Sequence, residues 1–118
     1  MDWDDDEDTE RRRVAHAALR EQAREVDAQN AMVYVLADKR GRQLVWDLLS
    51  HCSVFSGIFH RDLAELARRE GRREIGVGLL AQLEGKYPGA YAQMRQEHQE
   101  REWRYESIQE PRMEDDNV

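Results

Sequence analysis

The stretch DLAELARREGRREIGVGLLAQL, residues 62–83, determines the fold that we predict for this chain. Its apolar residues recur at intervals near 3.6 residues, the period of an α-helix that buries one face. They are Leu63, Ala64, Leu66, Ala67, Ile75, Leu79 and Leu83. Gly71, Gly76 and Gly78 interrupt the helix, and each costs it about 1 kcal/mol relative to alanine. We therefore expect Gly71, Gly76 or both to face a second helix at close range, near Trp46.

The composition favours a small, highly charged helical protein over an enzyme with a deep pocket. The chain has 118 residues, of which 40% are hydrophobic and 36% charged, and this length suits one domain. Its net charge of −7 is concentrated at the two ends. We predict a disordered acidic arm over residues 1–8, a helical domain over 9–106 and an acidic tail over 107–118. No apolar run is long enough for a membrane span, and the acidic N-terminus excludes a signal peptide.

The apolar pattern predicts an all-α fold, a small bundle of about four helices. Helix 1, about residues 10–29 after a Thr9 cap, has a thin stripe that suits contact with a partner or with another helix. Residues 31–36 are short and apolar, and we favour a helix there because no second strand exists to pair with them. Helix 2 covers 42–52, helix 3 begins at an Asp62 cap, and the polar helix 4 extends from about 89 to 105, partly projecting from the core.

The apolar positions of the first two helices define the faces that we expect them to present. The stripe of helix 1 consists of Val14, Ala18, Leu19, Gln22 and Val26. The buried face of helix 2 is predicted to hold Leu44, Val45, Leu48, Leu49 and Cys52.

The sequence offers no arrangement of residues that points to catalysis or to a cofactor. The four histidines and the single cysteine, Cys52, do not show the spacing of a metal site, and one cysteine cannot form an intramolecular disulfide. The glycines of residues 71–78 do not match a phosphate-binding loop. We therefore predict no catalytic, cofactor-binding or metal-ligating residue, and no enzymatic activity.

Four arginines form the most distinctive charged feature, Arg68, Arg69, Arg72 and Arg73. On a helix they stack along one side as a basic ridge that could meet carboxylates or phosphates. We predict that Glu65, Glu70 and Glu74 neutralise most of this charge and that the ridge contacts these acids or a protein partner. Binding to nucleic acid is the alternative interpretation.

Three aromatic residues are further candidates for partner binding: Trp3 in the acidic arm, and Trp103 and Tyr105 in helix 4. Trp is enriched where binding energy concentrates, although Trp3 is also compatible with a chance aromatic in a tail.

Two sequence patterns, in this order, resemble a small family of tailed-phage proteins over roughly residues 31–97. The first is GRQLVWDLLSHCSVF at 41–55, with its hallmarks at Gly41, Arg42, Trp46, Leu48 and Leu49. The second is REGRREIGVGLLAQL at 69–83, followed by YPGAYAQM at 87–94. Its hallmarks are Glu70, Gly71, Arg72, Arg73, Gly76, Leu79 and Leu80. The family is named after a gene product of a Bordetella podophage, and its genes typically lie beside portal and capsid genes.

This resemblance implies a small, helical, non-enzymatic virion or morphogenesis protein. Such a protein would work beside a larger portal, capsid or internal protein, in the virion or in the host cytoplasm during assembly, and could form homo-oligomers. Two alternatives remain open at this point. One is a packaging adaptor that binds nucleic acid through the basic ridge, and the other is an acidic scaffold-like or DNA-mimicking regulator that acts through its termini.

Overall fold

The computed structural model describes residues 3–112, which form four α-helices and no strand. The helices are α1 (Trp3–Ala37), α2 (Lys39–His51), α3 (Leu63–Lys86) and α4 (Ala90–Glu106). The predicted all-α fold is therefore confirmed. The chain divides into two compact units between Asp38 and Lys39, so that α1 stands in one and α2, α3 and α4 form the other, the three-helix unit. Met1, Asp2 and residues 113–118 of the predicted acidic termini lie outside the described part.

The first helix is one continuous element of 35 residues. Its sequence lacks glycine and proline and is rich in alanine, and acids near its N-terminus favour the positive end of the helix dipole. Ion pairs one turn apart add support, such as Glu7 with Arg11 at 3.8 Å and Glu21 with Arg24 at 3.2 Å. Residues 3–8 are thus helical, and the prediction of a disordered arm is wrong for them. Thr9 lies inside the helix and donates its hydroxyl hydrogen bond to the Asp5 carbonyl, so it is not the cap.

None of the described residues of α1 is buried. The predicted helix over residues 31–36 exists, but it continues α1 and does not form a separate element. The prediction that helix 1 ends near residue 29 is therefore wrong, and the single asparagine at position 30 costs a long alanine-rich helix little.

The three-helix unit is built around five buried apolar residues: Val45, Trp46, Leu49, Leu83 and Met94. The predicted face of α2 is wrong in part, because Leu44 and Leu48 are exposed whereas Trp46 is buried. The helix is rotated so that the indole, its largest apolar side chain, fills the interior. α2 and α3 are joined by residues 52–62, in which Phe55 lies against Trp46 and Phe59 is exposed.

The last helix contributes more to this core than its polar sequence predicts. α4 buries Met94, Glu97 and Arg101, so one face packs along most of its length, whereas every residue from 102 to 106 is exposed. The predicted partial projection of helix 4 therefore concerns residues 102–106, and the helix is packed before them. The long helix without a buried residue is α1.

The third helix begins as predicted, because the Asp62 carboxylate accepts a hydrogen bond from the Ala64 backbone N–H at 2.9 Å. Its buried residues are Gly76 and Leu83, whereas Leu63 and Ile75 are 79% and 71% exposed. α3 therefore covers one side of the unit and is not its centre. A turn with Gly89 in the left-handed region, at φ 85°, leads from α3 into α4.

Gly76 is the glycine that a neighbouring segment approaches. A Cβ at this position would lie 2.5 Å from both Cys52 Cβ and Val54 Cγ2. The chain turns there through Ser53, which has a left-handed φ of 58° just after the end of α2. The predicted close approach is thus confirmed for Gly76, but the neighbour is the segment just after α2, at Cys52 and Val54, and not a helix near Trp46. Gly71 and Gly78 face open space, so of the two glycines in the prediction only Gly76 has a close neighbour.

Candidate functional site

A buried ion pair joins α2 to α4. Arg42 Nε donates to both carboxylate oxygens of Glu97, at 3.0 and 3.1 Å, and Arg42 Nη2 donates to Glu97 Oε1 at 2.7 Å. Both residues are more than nine-tenths buried. A pair with several charge-assisted hydrogen bonds fixes the relative position of two helices as well as holding them together. Because 55 residues separate the partners, no local sequence pattern indicates the pair.

Arg101, on α4 one turn after Glu97, is the second buried arginine of the three-helix unit. Its two terminal nitrogens have no hydrogen-bond partner among the described residues. The interior of the unit thus holds two guanidinium groups for one buried carboxylate. At its edge, Lys39 pairs with Glu100 at 3.9 Å.

Trp46 lies in an aromatic stack that extends the α2–α4 contact. Its ring centroid is 4.5 Å from that of Phe55 and 4.7 Å from that of His98, with Tyr91 at 6.0 Å. Stacked rings at these separations add to the free energy gained by burying their area. Trp46 and Leu49 are both buried. Leu48, which precedes Leu49 in the family-like pattern of residues 41–55, is exposed.

The basic ridge, defined as Arg68, Arg69, Arg72 and Arg73, lies along α3, with Arg69 half-buried and the other three arginines exposed. Glu65 contacts three of these arginines, with Arg68 at 3.3 Å, Arg69 at 3.1 Å and Arg72 at 3.6 Å. The hydrogen bond from Arg69, helped by the charges of Arg68 and Arg72, lowers the pKa of the Glu65 carboxyl. Among the described residues, Glu65 is the carboxylate within ion-pair distance of the ridge, and the predicted direct pairing with Glu70 and Glu74 is not present. The ridge keeps a net positive charge.

The exposed apolar residues are distributed over several surfaces. The leucine pair, Leu44 and Leu48, lies one turn apart on the outer side of α2. Trp3 begins α1, and Trp103 and Tyr105 lie near the end of α4, all three exposed. Arg104 lies over the Tyr105 ring, 5.3 Å from its centroid. Sequence reasoning missed the outward position of the leucine pair because α2 also carries a tryptophan that occupies the interior.

Residues 3–112 contain no cluster of three or more His, Cys, Asp or Glu side chains that could hold a metal ion. Within the same part of the chain, no helix is both long and apolar enough to cross a membrane. Half-buried Cys52 forms no disulfide.

Comparison with known proteins identifies one family. The model of the family described as Bbp19-like phage protein matches residues 33–96. This range is more than half of the chain, and it includes α2, α3 and the first turns of α4. No curated protein and no solved structure is detectably similar to the chain. On the strength of the family match, the chain belongs to the Bbp19-like phage protein family.

Proposed function

We propose that this chain is a non-enzymatic virion or morphogenesis protein that binds a larger structural protein of the phage, such as a portal, capsid or internal protein. Its membership of a phage family is the observation that carries the proposal. The matched range coincides with much of the three-helix unit, so that unit is the part that we expect to hold the shared function. No residue is assigned a catalytic, cofactor-binding or metal-binding role.

The leucine pair supports a protein partner. Single exposed leucines are common on protein surfaces, but two of them one turn apart form a continuous apolar strip on one helix face. Leu44 is 68% exposed and Leu48 is 51% exposed. Both residues lie within the range that matches the family. The opposite side of α2 is held by Trp46, Leu49 and the ion pair, so the strip is presented on a rigid helix. A preorganised apolar surface loses little conformational entropy on binding.

Co-purification tests the partner directly. The chain is co-expressed with the portal and capsid proteins of the same phage, and the wild type is expected to retain at least one of them. The double variant Leu44→Glu/Leu48→Glu should lose this partner, since two carboxylates would have to be desolvated in the interface. Ile75→Glu, at an exposed apolar residue of α3, is the matched control and should retain binding. Failure to retain either protein, together with absence of the chain from purified virions and procapsids by mass spectrometry, would contradict the proposal.

The basic ridge supports a second candidate function, a packaging adaptor that binds nucleic acid. Its specific support is that Glu65 alone contacts three arginines and leaves positive charge exposed on α3. Phosphate contacts are strongest at low ionic strength, so a gel-shift assay in about 50 mM salt is the sensitive condition. Arg72→Glu should abolish the shift, whereas Arg24→Glu, on α1, should not. If the wild-type chain gives no shift at this salt concentration, the adaptor function is excluded.

A further inference from the structure

An exposed seam extends along α1 with the seven-residue period of a coiled coil. Leu19, Val26 and Val33 are spaced seven residues apart and are 64%, 48% and 55% exposed. Between them lie Ala15, Gln22 and Gln29, so that the whole set alternates in steps of four and three residues. In heptad notation, Leu19, Val26 and Val33 thus occupy the positions labelled a. The positions labelled d hold Ala15, Gln22 and Gln29. We call these six residues the α1 seam.

The charges of this part of α1 are segregated from the seam. The outward heptad positions b, c and f hold Arg20, Glu21, Arg24 and Asp27. The flanking e and g positions hold His16, Ala18, Ala23, Glu25, Asn30 and Met32, of which only Glu25 carries a full charge at neutral pH. A second helix can therefore approach the seam closely with little desolvation of charge.

The seam is long enough to stabilise a helix pair. From residue 15 to residue 33 it extends for roughly 27 Å, at 1.5 Å per residue. Helices in proteins gain most of their stability from packing an apolar face, and no residue of α1 is buried. Leu19, Val26 and Val33 are therefore exposed on a helix face of coiled-coil geometry.

We propose that α1 pairs with the α1 of a second copy of this chain, in parallel and in register. In a parallel pair each residue meets its own copy, so that Val26 packs on Val26 and the Gln22 amides can hydrogen-bond to each other. In an antiparallel pair, a positions meet d positions, and Val26 would then face a glutamine that has no polar partner. Two of the three a positions, Val26 and Val33, hold β-branched residues, which are typical of a positions in two-stranded parallel coils. The proposal is independent of the proposed function, because it concerns α1 and not the leucine pair.

Parallel pairing has a distinctive salt dependence. It brings the acidic first turns of the two copies, residues 4–8, to the same end of the pair. Their repulsion opposes association and is screened by salt. The dimer should therefore tighten as the salt concentration rises from about 20 to 500 mM, and neutralising Asp4, Asp5 and Asp6 with asparagine should remove most of this effect.

Analytical ultracentrifugation of the full chain tests the pairing. The wild type is expected to dimerise reversibly, and Val26→Asp should raise the dissociation constant at least about 100-fold, because each copy loses a buried valine and gains a buried carboxylate. Ala31→Asp adds the same charge at an f position and should change the dissociation constant less than about threefold. Circular dichroism of both variants at high concentration shows whether α1 and the rest of the chain stay helical.

Disulfide cross-linking tests the orientation, in a Cys52→Ala background. In the parallel pair, Ala15→Cys and Val33→Cys should each form a cross-linked dimer alone. In an antiparallel pair centred on the seam, residue 15 faces residue 33, and only a mixture of the two variants would cross-link. Cross-linking in the mixture only would overturn the parallel arrangement. A wild-type chain that stays monomeric at about 1 mM, or a Val26→Asp chain that dimerises like the wild type, would overturn pairing through the seam.

Discussion

The two units of this chain obtain their order in different ways. α1 is the longest helix, with 35 residues, and buries none of them, whereas α2 has only 13 residues and buries four. α1 owes its helical form to local features, namely alanine, charge pairs one turn apart and acids near its N-terminus. The three-helix unit depends on contacts between residues far apart in sequence. Helix length is thus a poor guide to which part of the protein carries its folding stability.

The largest expected effect comes from breaking the buried ion pair. Glu97→Leu leaves the Arg42 guanidinium buried without its carboxylate, which should cost about 3–5 kcal/mol in the free energy of unfolding. Urea unfolding followed by near-ultraviolet circular dichroism, which reports the packing around Trp46, measures this cost.

Two variants control for the loss of the ion pair. Arg42→Met/Glu97→Leu should recover most of the stability, since a matched apolar pair replaces the buried charges. Glu21→Leu removes the exposed partner of Arg24 on α1 and should cost less than about 1 kcal/mol. Equal losses for Glu97→Leu and Glu21→Leu would mean that the two units do not differ as described.

Truncating a leucine in each unit should give the next largest difference. Leu49 is fully buried, so Leu49→Ala should lower the free energy of unfolding by about 2–5 kcal/mol. Leu19→Ala on α1, measured where the chain is monomeric, should change it by less than about 0.5 kcal/mol. A cost above 2 kcal/mol for Leu19→Ala in the monomer would show that α1 is packed within a single chain.

Within α3, two glycines should respond in opposite directions to alanine. Gly76→Ala places a methyl group in contact with Cys52 and Val54 and should destabilise the protein by about 1–3 kcal/mol, in spite of the higher helix propensity of alanine. Gly71→Ala meets open space and should stabilise the protein by about 1 kcal/mol. Thermal unfolding of the two variants in parallel decides this, and a stabilising Gly76→Ala would contradict the close approach.

The smallest expected effect concerns Glu65 and pH. Because the pKa of its carboxyl is lowered in the folded state, its contribution to stability is fully present above the unfolded-state value near 4.5 and is lost as pH falls through the folded-state value. Titration of the carboxyl by nuclear magnetic resonance should show the pKa returning towards its ordinary value in Arg69→Ala. An unchanged pKa in that variant would mean that the hydrogen bond from Arg69 is not its main cause.

Residues with local roles were predictable from the sequence, and residues with distant partners were not. The Asp62 cap follows from a residue type and its position, and the close approach at Gly76 follows from the cost of glycine in a helix. The roles of Arg42, Glu97 and Arg101 were missed because charged residues are normally exposed. α4 was consequently expected to project, although its buried face includes two of these charges.

The full extent of α1 was not predicted because of its acidic N-terminal residues. A run of like charges usually indicates disorder, but here it stands at the N-terminus of an alanine-rich helix, where acids are favourable. The surfaces available for partners also depend on rotation about a helix axis. Leu44 and Leu48 fit an apolar stripe as well as Val45 and Leu49 do, and only the packing of Trp46 shows which pair is buried.

Hydrogen exchange of the full chain at two concentrations, about 1 μM and about 500 μM, tests most directly that the two units owe their order to different contacts. Amides of α2, α3 and α4 around Leu49, Leu83 and Met94 should be equally protected at both concentrations. Amides of α1 between residues 15 and 33 should exchange rapidly in the dilute sample and become protected in the concentrated one. Strong protection of α1 at 1 μM, equal to that of the three-helix unit, would contradict the account.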